Sequence, residues 1–95
     1  MLYAVFHNNN RLDGKLAPLM GSDSYLPIDG RYSVARAKAL AEKQIHRLRN
    51  VQPDIVGYEI RRGTISNSAR VAGLFPAPGR NQEFNAAKEK GIIEW

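Results

Sequence analysis

Between Ser33 and Asn50 the chain reads SVARAKALAEKQIHRLRN, and within it Val34, Ala37, Ala41, Ile45 and Leu48 recur at helical spacing. At 100° per residue these five positions fall in a stripe roughly 80° wide, the signature of a helix with one buried face. The alanines in mid-stripe have no bulk to hold a neighbour away, so the helix must approach closely whatever lies beneath it. A sheet is the natural support. Ser33 is placed to cap the N-terminus, Tyr32 before it to staple against the first turn, and Asn50 with Pro53 beyond to close the other end.

The flanking segments have the period of strands. LYAVFH alternates Leu2, Ala4 and Phe6 against Tyr3, Val5 and His7. NNNRLDGK breaks that alternation, and KLAPLM can return as a short strand that Pro18 confines to an edge. GSDSYLPIDG, with Gly21, Pro27 and Gly30 and no period, is expected to be a surface loop. After the helix, DIVGYEIRRG alternates Val56, Tyr58 and Ile60 against Ile55, Gly57, Glu59 and Arg61. A turn at Asn67-Ser68 then leads to a strand from Ala69 to Phe75, which makes a hairpin. Asn81 is expected to cap a short helix, QEFNAAKEK, ended by Gly91, and the apolar tail IIEW to dock on the body. The predicted fold is therefore α+β: an antiparallel sheet of three to four strands packed by one long helix, with a short C-terminal helix. Its order is roughly β, (β), α, β, β, α.

Ninety-five residues suit one domain, 1–95. Without cysteine there is no disulfide, thiolate metal site or cysteine nucleophile, which fits a reducing cytoplasm. MLYAVFHNNN lacks the basic start and the apolar length of a signal peptide or membrane span, so no membrane partner and a cytoplasmic location are expected.

Catalytic motifs are scarce. His7 sits at a strand end beside a turn and His46 on a helix flank, where a solvated or capping histidine is the ordinary reading. Two histidines without cysteine make no transition-metal site, and Asp23 and Asp29 lack the spacing of a calcium loop, which leaves them as turn starters. DGKL is not a phosphate-binding P-loop, because no glycine lies five positions upstream and no Ser or Thr follows Lys15. Gly57 is read as a packing glycine within a strand and Gly63 as a turn glycine. No catalytic residue, metal or cofactor is expected.

Charge is more informative. The formal net charge is +5, with fourteen Lys and Arg against nine Asp and Glu, and such a balance favours phosphate or an acidic protein surface as partner. The same charge would also serve solubility alone. Arg36, Lys43 and Arg47 lie close to 180° from the core stripe, forming one ridge without an interleaved acid. Arg61, Arg62 and Arg70 are expected to cluster around the hairpin with Tyr58 beside them, as arginines and aromatics do on nucleic-acid surfaces. The Gly-x-x-Gly loop of KH domains and the aromatic-rich central strands of RNA-recognition motifs are missing.

The sequence thus points to a non-enzymatic small basic binding module. It would dock on nucleic acid, or on a nucleic-acid-handling complex, through the helix ridge and the arginine-rich hairpin. The alternatives are a phage- or mobile-element-type inhibitor that blocks a host protein complex, and a small basic nuclease or toxin.

Overall fold

A computed structural model describes residues 2–9, 12–19, 21–63 and 70–92. Strands β1 (Leu2–Asn9), β2 (Leu16–Pro18) and β3 (Tyr25–Ile28) precede helix α1 (Val34–Leu48). Strands β4 (Ile55–Arg62) and β5 (Arg70–Pro76) and helix α2 (Asn81–Lys90) follow it. The sheet is antiparallel, in the order β2-β1-β4-β5, and β3 also pairs with β1. Five strands thus replace the three or four expected.

The additional strand is Tyr25–Ile28, in the segment expected to be a loop. It pairs with β1 from Leu2↔Ile28 to Val5↔Tyr25, and β2 takes over the same edge of β1 from His7↔Pro18 to Asn9↔Leu16. Both prolines, Pro18 and Pro27, therefore sit on edge strands, where a missing ladder donor is tolerated. Two short strands sharing one edge have no period long enough to read.

Helix α1 forms as its stripe requires. The Ser33 hydroxyl accepts the Arg36 amide at 3.2 Å, closing the N-terminus. Ala37, Ala41, Ile45 and Leu48 are buried, while Val34 is only half-buried. These four residues pack on Leu2, Ala4, Phe6, Tyr58 and Ile60 of the two central strands. Burial of Ile45 and Leu48 stabilises this layer by about 2 kcal/mol each.

A smaller cluster lies under α2, where Phe84 and Ala87 meet Leu16 and Val56. The reading of Ile55 and Val56 is reversed here. Ile55 joins the α1 cluster and Val56 the α2 cluster, because the register shifts between His7 and Asn8: His7 pairs with Gly57 but Asn8 with Ile55. A β-bulge inserts one residue and exchanges the faces beyond it. Arg80, not Asn81, occupies the cap position of α2, without a side-chain cap bond, and Gly91 ends the helix as expected. Ile92 bridges to Leu16 and packs on the smaller cluster, so the tail docks at that point. The Asn67-Ser68 turn and Ile93 to Trp95 lie outside the described residues. No helix among them is long and apolar enough to cross a membrane.

Candidate functional site

The outward side of α1 carries Arg36, Lys43 and Arg47, all exposed. Arg36 and Arg47 are eleven residues apart, which at 1.5 Å per residue makes a ridge about 16 Å long. The one acid in α1, Glu42, is turned the other way. Its Oε2 accepts the hydroxyl of Tyr58 at 2.6 Å, at the α1–β4 contact. Burial first, and then the adjoining Glu42 carboxylate, push the Tyr58 hydroxyl well above its ordinary pKa. Glu42 is thereby held off the ridge, and none of the three cations has an ion-pair partner among the described residues.

Arg36 is positioned from one side. Its guanidinium carbon lies 4.4 Å from the centre of the Tyr32 ring, and Tyr32 is itself half-buried against the main core. The staple expected at Tyr32 thus also braces the first cation of the ridge. Asp29 starts the turn before it: its carbonyl accepts the Tyr32 amide at 3.0 Å, and its carboxylate accepts the Arg31 amide at 3.0 Å. Hydrogen bonds from the Arg31 side chain and backbone hold the Asp29 carboxyl below its ordinary value. Lys43 and Arg47 flank a cleft of about 230 Å³ whose apolar wall includes Leu26, Pro27 and Leu40.

The hairpin residues do not form the surface cluster anticipated for them. Tyr58 is fully buried under α1, so its ring faces no solvent. Arg61 is buried on the opposite face of the sheet, where Nε and Nη2 donate to Glu59 at 3.1 and 3.0 Å. Adjacent residues of a strand point to opposite faces, and Arg62 accordingly projects from the α1 side and is exposed. Arg62 pairs with Arg70 across β4 and β5, and the Arg70 side chain lies outside what is described. Of the residues singled out, Arg36, Lys43, Arg47 and Arg62 are therefore exposed.

His7 also differs from its expected solvated position. It is fully buried, and its Nε2 lies 2.5 Å from Glu59 Oε1, so Glu59 is held between His7 and Arg61. Burial acts to raise the Glu59 carboxyl, but hydrogen bonds from His7 and Arg61, with their charges behind them, hold it below its ordinary value. His7 Nδ1 has no hydrogen-bond partner among the described residues. The geometry is that of an interior polar brace between β1 and β4, enclosed away from solvent. His46 is exposed in the last turn of α1.

Sequence reasoning missed a second concavity. A cleft of about 770 Å³ opens at the bulged end of β1, lined by Asn8, Asn9, Gln52 and Asp54, with Arg80 and Glu83 at the start of α2. Arg80 is tied down by Glu83 at 3.0 Å and by the Pro53 carbonyl at 2.6 Å. These residues are dispersed in sequence, and the one available sign was the asparagine run, expected to break the strand, whose Asn8 and Asn9 instead form the end of β1. Among the described residues no group of three or more His, Cys, Asp and Glu could hold a metal ion.

No protein-family model, curated protein or solved structure matches the chain. Fold and side-chain geometry are therefore the whole basis for a functional reading.

Proposed function

We propose that the protein is a non-enzymatic binding module that grips the phosphate backbone of nucleic acid with the exposed face of α1. The observation that supports this most directly is the inward turn of Glu42 onto Tyr58, which leaves Arg36, Lys43 and Arg47 as a row without an ion-pair partner among the described residues. A helix face that serves solubility alone usually alternates acids and bases four residues apart, and this one does not. Arg62, on the same side of the sheet, extends the basic area toward the hairpin.

Replacing Arg36, Lys43 and Arg47 together by Ala tests the reading, because all three side chains are exposed and the fold should survive. Each phosphate contact adds about 0.9 to the slope of log K against log salt on duplex DNA, so the triple variant should lose up to about 3 units of slope. Binding with an unaltered slope would remove the ridge from the interface.

A second reading is favoured by the cleft between the ridge and β3. Its apolar wall of Leu26, Pro27 and Leu40 beside Lys43 and Arg47 suits an acidic, partly apolar protein segment. This is what a small inhibitor of a larger complex would use, with arginine as its hot spot. Capture from a lysate before and after nuclease separates the two: protein retained after nuclease favours the inhibitor, and loss of all partners favours the nucleic-acid module.

A further inference from the structure

The nucleic-acid reading leaves open which form of nucleic acid is held, and the placement of the aromatic rings bears on that question. Proteins that hold single strands do so largely by stacking successive bases on exposed aromatic faces above a basic groove. Tyr3, Phe6, Tyr58 and Phe84 are buried. The two half-buried rings beside α1 are faced by the protein's own cations: Arg36 lies over Tyr32 at 4.4 Å, and Lys38 Nζ over Phe75 at 4.9 Å. Tyr25 on β3 offers a single ring, 36 % exposed, and a stacking track takes two or more. Among the described residues, then, the basic face comes without a base-stacking track.

What that face does offer is charge in a rigid array. A guanidinium held over an aromatic ring loses side-chain freedom without spending its N–H donors on a hydrogen-bond acceptor, so Arg36 is pre-organised for a phosphate. Lys43 and Arg47 continue the row along a helix docked on the sheet. A double helix presents closely spaced phosphates on a stiff frame, and releases more counterions per contact than a single strand does. A single strand would have to be ordered along the ridge without the stacking that normally offsets that ordering.

We infer that the partner of this face is a nucleic-acid double helix held at its phosphates, in preference to a single strand. The inference rests on the proposed nucleic-acid reading, and the shared chemistry of duplex DNA and duplex RNA is the paired phosphate backbone.

The test uses the full chain and fluorescence anisotropy with four probes of one sequence and about 30 nucleotides: duplex DNA, duplex RNA and the single strands of each. For three phosphate contacts, counterion release alone should favour the duplex about sixfold at 50 mM salt. Duplex affinity should fall about 40-fold between 50 and 200 mM salt. Preference for either duplex over its own strands supports the inference, and the stronger of the two duplex arms identifies the source. Single strands bound as tightly as the duplexes, or more tightly, would overturn it while leaving the nucleic-acid reading in place. Absence of binding to all four probes would overturn that reading and the inference with it.

Discussion

The Tyr58 hydroxyl donates to Glu42 Oε2 across 2.6 Å, joining the centre of β4 to the middle of α1. One bond thereby has two consequences. It pins the helix to the sheet, and it withdraws the helix's single carboxylate from the basic ridge.

Removing that hydroxyl by Tyr58→Phe should cost about 1.5 kcal/mol, the usual range for a bond to a charged acceptor reduced for partial exposure. Urea denaturation measures it. The raised Tyr58 pKa also sets an alkaline limit. Because the unfolded chain releases this proton near the ordinary value of 10.0 and the folded chain does not, this contribution is fully present below pH 10 and declines above it. Tyrosinate absorbance should show Tyr58 missing from the titration near pH 10 in the folded protein and present in urea.

On the other face, Glu59→Gln should be far more damaging than its size suggests, because it removes the buried carboxylate that both His7 and Arg61 bond. The expected loss is about 3 to 5 kcal/mol, enough to unfold much of a small domain. Arg61→Ala should be comparably destabilising and Arg62→Ala nearly neutral, since Arg62 is exposed. Equal melting temperatures for the two arginine variants would contradict the buried pair.

The same carboxylate sets the acid limit. Its pKa is lowered in the fold, so its contribution is complete above the ordinary value of 4.5 and is lost as pH falls through the lower folded value. Stability measured between pH 6 and 2 should decline from about 4.5 downward, and a variant with His7, Glu59 and Arg61 all made apolar should lose that part of the decline.

Gly57→Ala should destabilise the protein by about 1 to 3 kcal/mol through overpacking. A Cβ at Gly57 would lie 2.5 Å from Phe84 Cδ1 and 3.0 Å from the Phe75 carbonyl. Pairing it with Phe84→Leu should recover part of the loss, which thermal unfolding of the two variants would show.

Ile45→Asp tests the α1 layer itself. Ile45 is buried against the sheet, and an unpaired carboxylate there should cost several kcal/mol and abolish the cooperative thermal transition. An unchanged melting curve would disprove the packing of α1.

Local pattern alone was enough for α1, for the existence of β1 and β4 and for Gly57 as a packing glycine. The helix stripe, the alternation in LYAVFH and YEIRRG, and the Ser33 cap each lie within one turn or one strand, where spacing along the chain is spacing in space. The same holds for the exposed ridge, because a residue opposite a buried stripe on a helix must face outward. Gly57 needed no partner to be suspected, and Phe84 against it supplies the reason.

Everything that depends on what lies across the sheet was decided by the tertiary structure. His7 and Glu59 are 52 residues apart, and no periodicity announces that the second face of β1 and β4 is covered and holds a buried ionic brace. The bulge at His7 and Asn8 exchanges the faces of Ile55 and Val56, which strict alternation cannot anticipate. Pro27 made β3 look like a loop, because only the free edge of β1 turns that segment into a strand. Arg61 and Arg62 are identical neighbours in sequence, yet one is enclosed and the other exposed. The pleat sends them to opposite faces of the sheet, and burial of a face is a property of the assembled layers.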